Sequence, residues 1–317
     1  MKTGLIIFSS MILATTISLA QLSPQAVSLF SYDRSAPLDV RDSLIEATTK
    51  YRVYDISYAS PRIGRVTGFI VAPAEKGTYA GIVFGHWGPG NRTEFLPEGK
   101  LYAQAGAVSL MIDYPWVRPA QYQIHGGRGF DEPEKDLAVY SQAVVDLRRG
   151  IDVLISRPDV DSSRIAYVGH SYGAQWGAIL SAVDDRIKAT VLMAGVPSDS
   201  VFIVESNEPN AVAFRESASE ETRAKYMRVA TVPLAAIGYV PYARPTPLFF
   251  QFAAKEREIS LPAMKRYYDA ASEPKSIKWY DTGHELNDPQ ALIDRAEWLR
   301  QRMKMGPVKS LFQKMLK

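Results

Sequence analysis

Gly169-His170-Ser171-Tyr172-Gly173 puts a serine between two glycines, directly after the apolar run Ile165-Ala166-Tyr167-Val168 and before the small-residue stretch Ala174 to Ala182. G-x-S-x-G at a strand-to-helix turn is the setting of a nucleophile elbow. The turn raises the hydroxyl above the strand end, leaves no room for flanking side chains, and aims the next backbone N–H at a developing oxyanion. A serine hydroxyl is a weak nucleophile until a base takes its proton, and that base needs a third group to orient it.

The chain has four histidines. His170 adjoins the serine on the turn, so its ring is expected to point away from the hydroxyl. His125 lies in the loop His125-Gly-Gly-Arg-Gly129, and His86 follows an early strand. His284, in Tyr280-Asp-Thr-Gly-His284, comes just past the last strand and before the last long helix, where a general base belongs. The orienting acid should stand after the penultimate strand. Glu256 is preferred there, Glu258 is the alternative in the same loop, and Asp199, after the preceding strand, is a second place for it.

An oxyanion needs two aligned donors. One is the N–H of Tyr172. The other is assigned to Trp87 in the loop Gly85-His-Trp-Gly-Pro-Gly90, with His86 supporting that loop. His86, Tyr114, Trp116 and Trp176 are read as substrate-binding residues beside Trp87, with core packing an equal account of Trp176. A phosphate cradle is the rival reading of the glycine loop, but no Walker Lys-Ser/Thr and no G-x-G-x-x-G accompanies it.

These residues need a scaffold. Tyr51–Tyr58 and Arg65–Ala72 read as an antiparallel pair. Short continuous apolar runs follow at 80–84, 107–112, 164–168, 189–193, 247–252 and 276–280, separated by helical stretches. Continuous hydrophobicity marks strands covered on both faces, hence a mostly parallel sheet flanked by helices. A helix with an Asp131/Glu134 capping box carries Leu137, Tyr140, Val144, Leu147, Ile151 and Leu154 on one face. Another starts at Asp288-Pro289, and the basic tail from Arg302 to Lys317 reads as a solvated helix end. Residues 198–245 differ in character and read as a lid insertion over Ser171, or else as a decorated crossover.

Taken together, the chain resembles an α/β-hydrolase of the dienelactone-hydrolase and prolyl-oligopeptidase-like group. The residues that carry the resemblance are His86-Trp87-Gly88, Asp113-Tyr-Pro-Trp116, Gly169-His-Ser-Tyr-Gly173 and Tyr280-Asp-Thr-Gly-His284, over about residues 50 to 300. It implies an α/β-hydrolase fold with a mostly parallel central sheet of about eight strands and hydrolysis of an ester, thioester or peptide through an acyl-enzyme. A carboxylesterase with a Ser-His-Glu triad is the leading expectation. A thioesterase, a small peptidase, or a non-enzymatic binding protein on the same scaffold are the alternatives. Dienelactone hydrolases proper use a cysteine, which this chain lacks, and no propeller domain is present.

Composition narrows the rest. With 317 residues, 46% of them hydrophobic, one large core is affordable, and the formal net charge of +3 gives no case for nucleic acid. The absence of cysteine excludes disulfides, thiolate catalysis and Cys-based metal sites. No histidine has metal-ligand spacing, so neither a metal nor another cofactor is expected, and the partner is a small-molecule ester. Lys2, the apolar run from Leu5 to Leu13 and Ser18-Leu-Ala20 read as a secretory signal cleaved after Ala20, giving a secreted or periplasmic protein with residues 21–317 as one domain. An uncleaved N-terminal anchor is the alternative. Oligomeric state is not legible.

Overall fold

The computed structural model describes residues 22–127, 130 and 132–315. The expected signal segment 1–20 lies outside them. Nine strands form one sheet in the order β1-β2-β3-β5-β4-β6-β7-β8-β9. They are β1 (Arg41–Ala47), β2 (Tyr51–Ala59), β3 (Arg65–Pro73), β4 (Tyr79–Gly85), β5 (Ala107–Ile112), β6 (Val160–His170), β7 (Ile187–Met193), β8 (Leu248–Ala253) and β9 (Lys275–Tyr280). The first three and the β3–β5 pair run antiparallel; from β5 to β9 all neighbours are parallel. The α/β-hydrolase expectation holds, with one strand beyond the eight expected. That strand, β1, is exposed along most of its length, so no apolar pattern announces it.

Helices α1 (Pro24–Ser28), α2 (Leu96–Gln104), α3 (Pro133–Ile155), α4 (Tyr172–Val183), α5 (Asp199–Glu205), α6 (Pro209–Ser217), α7 (Glu220–Tyr226), α8 (Leu261–Ala270), α9 (Pro289–Met303) and α10 (Lys309–Met315) complete the described chain. The parallel strands turn successive side chains to opposite faces, and along β4, β5 and β8 both faces are dry, while the edge strand β9 leaves Lys278 and Trp279 exposed. Phe84, Met111, Val168 and Val191 point to the layer closed by Leu299 of α9 and Phe312 of α10. Val83, Leu110 and Tyr167 point to the layer closed by Leu147 and Ile151 of α3 and Trp176 of α4.

Helix α3 starts at Pro133, which stands in the first turn as expected, and Asp131, the expected cap, lies outside the described residues. The basic tail is not a solvated end: Met305, Val308 and Phe312 are buried, and the Phe312 ring meets Tyr102 at 5.0 Å between centroids. Its apolar residues at steps of three and four form one stripe, which finds the groove beside α2. Asp288 caps α9 by accepting from Gln290 N at 2.6 Å and Ala291 N at 3.0 Å.

From β4 the chain crosses to β5 on one side and then to β6 on the other. The crevice beyond the carboxyl ends of β4 and β6 is therefore a topological switch point, where ligands bind in open α/β sheets. Both the Gly85–Gly90 loop and Ser171 emerge there. Among the described residues no helix is long and apolar enough to cross a membrane.

Candidate active site

Ser171 stands between β6 and α4 with φ 54° and ψ −114°, a strained conformation for a residue with a side chain. The strain is held by backbone contacts. Ser171 N donates to Met193 O at 2.8 Å, and the Tyr167 hydroxyl donates to Gly173 O at 2.7 Å. A Cβ on Gly169 would lie 2.2 Å from Gly173 O, and one on Gly173 would lie 2.0 Å from Gly85 O. Both glycines are thus demanded by close approach, which brings the serine turn and the end of β4 into contact.

Three side chains from three strand ends meet. His284 Nε2 lies 2.8 Å from Ser171 Oγ, and His284 Nδ1 lies 2.7 Å from Glu256 Oε2. The other oxygen of Glu256 accepts from the N–H groups of Arg257 and Glu258, each at 2.9 Å. Burial pushes the Glu256 carboxyl up, yet the His284 ring and the two amides more than offset it and hold it below the ordinary carboxylate range. Burial pushes His284 down, but Glu256, with Glu258 and Glu285 behind it, leaves its pKa above the ordinary histidine value of 6.5. Such a ring can take the hydroxyl proton and keep the resulting charge beside a carboxylate.

Glu258, the alternative acid, does not reach Nδ1. Its Oε2 lies 3.7 Å from His284 Nε2, on the serine side of the ring, and burial raises its pKa. Asp199, the second alternative, begins α5 and faces the cleft instead of His284.

Tyr172 opens α4, so its N–H has no partner within the helix. The Trp87 N–H is engaged: it donates to Glu94 Oε2 at 2.8 Å. The other oxygen of Glu94 contacts His170 Nδ1 at 2.7 Å, and His170 Nε2 lies 2.9 Å from the carbonyl oxygen of His284. One carboxylate thereby ties the glycine loop to the turn before the nucleophile and, through His170, to the His284 loop. The His170 ring does point away from the hydroxyl. Neither role of this Glu94–His170 pair was visible in sequence, because the partners are 76 and 114 residues apart. An acidic residue just after a glycine loop and a histidine inside the elbow were the only signals.

The four expected substrate-binding side chains behave differently. His86 is buried under the loop: Tyr114 N donates to its Nε2 at 3.1 Å, so Nδ1 carries the proton that meets Trp87 O at 2.6 Å. Burial pushes its pKa down to about 4. Tyr114 and Trp176 are fully buried and pack in the layer with Tyr167 and Leu180, which corrects the reading of Tyr114 as a pocket wall and leaves Trp176 with its alternative, core packing. Large rings set against the sheet fill the core before they reach the cleft. Trp116 straps the loop by donating to Gly88 O at 2.7 Å, and it also lines a cavity of about 300 Å³ with Tyr140 and Tyr172. Trp87 exposes its indole to solvent, and His125 is exposed as well. Arg92 secures the far end of the loop, its N–H donating to Asp113 Oδ1 at 2.9 Å and its guanidinium reaching Asp55 at 3.1 Å.

The cavity against the nucleophile is small, about 80 Å³, and is lined by Ser171, Tyr172, Val196, Asp199, Phe202 and Glu258. Among the described residues no group of His, Asp and Glu is arranged to hold a metal ion.

Comparison with known proteins adds a family. The model of the acetyl xylan esterase (AXE1) family matches residues 31–207, more than half of the chain. Among curated proteins none matches at a significant level. Solved structures share the fold at low identity. An acetyl xylan esterase from Paenibacillus sp. R4 superposes with a TM-score of 0.72 at 19% identity, over 88% of this chain and 92% of that one. Acetyl xylan esterase 1 from Thermoanaerobacterium sp. JW/SL YS485 gives 0.70 at 16%, over 88% and 90%. A cold-adapted esterase from an Arctic intertidal metagenomic library gives 0.58 at 16%, over 84% and 99%.

Proposed function

The chain belongs to the acetyl xylan esterase family and is a carboxylic ester hydrolase, and we propose that it cleaves short-chain esters, acetates foremost, through Ser171, His284 and Glu256. The observation that carries this is the His284 ring, which bridges Ser171 Oγ at 2.8 Å and Glu256 Oε2 at 2.7 Å.

In the reaction, Ser171 Oγ attacks the ester carbonyl while its proton passes to His284 Nε2. Glu256 keeps the imidazolium in place. The tetrahedral oxyanion takes the Tyr172 N–H and the Trp87 N–H, for which Glu94 Oε2 has to release the Trp87 amide. Collapse expels the alcohol, which receives the His284 proton, and leaves an acyl-serine. Water, deprotonated by the same ring, then attacks the acyl carbon; the acid departs, and Ser171 recovers its proton. A cavity of about 80 Å³ at the nucleophile suits an acyl group of two or three carbons, and an acetate ester is the chemistry in the family's name. Residues 198–245 serve as the lid, with Asp199 and Phe202 on its inner face, and residues 1–20 direct export.

The test is a p-nitrophenyl ester ladder from acetate to laurate, run with the S171A variant. The expected result is a maximum at acetate or propionate and a loss of about 10⁶ in kcat for S171A. A preference for long chains would overturn the acyl-size reading. Activity that survives in S171A would overturn the serine mechanism.

A further inference from the structure

Beyond the small cavity at Ser171 the cleft opens into a larger one of about 490 Å³. The two share Tyr172, Asp199 and Phe202. Aromatic side chains dominate its wall: Phe130, Tyr140, Phe214 and Tyr226 join the shared pair. Phe130 stacks on Phe214 at 3.8 Å and meets Tyr226 edge-on at 4.8 Å.

The charges along this path have one sign. Glu258 stands at the nucleophile, Asp199 at the junction of the two cavities, and Asp136 at the far end. Asp136 is already satisfied, accepting from Gly127 N at 2.7 Å and from the Tyr226 hydroxyl at 3.0 Å. Among the described residues lining the two cavities there is no lysine, arginine or histidine. Lys255 and Arg257 line a neighbouring cavity together with Glu256, Glu258, His284 and Glu285, and Lys255 pairs with Asp281 at 3.0 Å. Burial, and then the charge of Asp136, push the Asp199 carboxyl up to about 7, while Gln175 pulls the other way. The charge of Asp199 is in turn the largest cause raising the Tyr172 hydroxyl. Asp199 has no cation beside it among the described lining residues, so an arriving cation would supply its counter-charge, and ring faces attract the same cation through their quadrupoles. An anionic group in the large cavity would meet both Asp199 and Asp136.

We propose that this cleft selects esters whose alcohol part carries an organic cation of the alkylammonium type, which Asp199 attracts and the aromatic wall encloses. This rests on the reading of Ser171 as an esterase nucleophile: the acyl group fills the small cavity, and the cationic alcohol extends into the large one. Asp199 is then a specificity residue and takes no part in the proton transfers.

The experiment compares two esters of one shape, acetylcholine and 3,3-dimethylbutyl acetate, which differ by a quaternary nitrogen in place of a carbon. The readout is their ratio of kcat/KM at pH 8, where Asp199 is ionised, with each protein serving as its own control. The expected ratio favours the cation by about tenfold or more in the wild type. It should fall several-fold in D199N. A wild-type ratio near one, or a ratio unmoved in D199N, overturns the proposal. Arg128 lies outside the described residues, so R128Q is measured alongside. A preference that emerges only in that variant overturns it too. p-Nitrophenyl acetate separates the two readings, since turnover of it with no preference for the cation would remove this inference and leave the esterase standing. Should no ester be cleaved, titration calorimetry of choline against 3,3-dimethylbutanol decides the inference alone: tighter choline binding, weakened in D199N, supports it, and equal binding removes it.

Discussion

The turn at Ser171 and the stretch from Ser198 to Pro245 face the same cleft but are held in place by different means. The turn is fixed by backbone against backbone. Gly173 and Gly85 approach so closely that no Cβ fits, and Ser171 N is tied to Met193 O across the sheet. The second region is a chain of short helices, α5 to α7, followed by single turns. It is held by a satellite cluster of Ile203, Phe214, Tyr226 and Ala230, and by Arg215 and Arg223, whose guanidiniums donate to carbonyls at 2.6 to 2.8 Å. Backbone contacts allow no substitution, whereas side-chain contacts allow many. Chemistry is thus lodged where the chain cannot vary, and selection among substrates where it can.

G173A should give the largest effect, because the added methyl would sit 2.0 Å from Gly85 O, a backbone atom with nowhere to go. The expected outcome is loss of soluble protein, or a melting temperature lowered by about five degrees or more for a cost of about 3 kcal/mol or more. A G173A protein that melts like the wild type would break the contrast between the two regions at its stronger end.

E256Q comes next. It should fold normally and lose about 10⁴ in kcat, since an amide can leave the ring in the wrong tautomer. The pH profile sharpens this. Activity needs neutral His284, so kcat/KM in the wild type should rise with pH through a value above 6.5, the direction in which Glu256 moves the ring. Without that charge the residual activity of E256Q should show its acid limb at lower pH. An unmoved limb would mean that another group sets it.

His86 offers a test by stability. Its folded pKa of about 4 lies below the unfolded 6.5. Between these values the unfolded chain binds the extra proton, so the contribution of His86 is complete above 6.5 and is lost as pH falls toward 4. The loss amounts to about 3 kcal/mol. Urea unfolding of wild type and H86Q from pH 4 to 7 should show a shallower slope in the variant. Parallel slopes would remove His86 as the source.

The smallest effect on chemistry should come from F214A in the satellite cluster. Its kcat on p-nitrophenyl acetate should stay within about threefold of wild type, while KM for esters with bulky alcohols rises several-fold. A fall in kcat on acetate as large as that of E256Q would show that the insertion reaches the proton-transfer residues after all.

Much of this arrangement was legible in the sequence, for identifiable reasons. Continuous apolar runs located every parallel strand because both sheet faces are buried, and the glycine spacing around Ser171 reports a steric demand local to five residues. Loop position after β8 and β9 was enough to bring Glu256 and His284 forward, and the structure sets both within hydrogen-bond reach of one ring and one hydroxyl. What escaped depended on distant partners. Strand β1 exists through its pairing with β2 and not through any apolar pattern of its own. The link from Trp87 through Glu94 and His170 to the His284 carbonyl joins four segments that no local pattern connects. Tyr114 failed in the opposite sense, and of the two readings of Trp176 the core one holds, since aromatic residues near a site in sequence are drawn first to the core. The tail from Met305 to Phe312 carried a readable stripe, outweighed by the basic residues around it.

Helix α10 also bears on the order in which the protein can be made. Phe312 is wholly buried against Tyr102, and Val308 beside it, so one face of the layer under α2 is closed by residues more than 200 positions later in the chain. A ribosome delivers those residues more than 200 positions after Tyr102. Until they emerge, Tyr102 and its apolar neighbours have no cover, and the nascent chain keeps an open hydrophobic seam however early Ser171 and its sheet have been synthesised. Closure of this layer therefore waits for α10 and not for the active site.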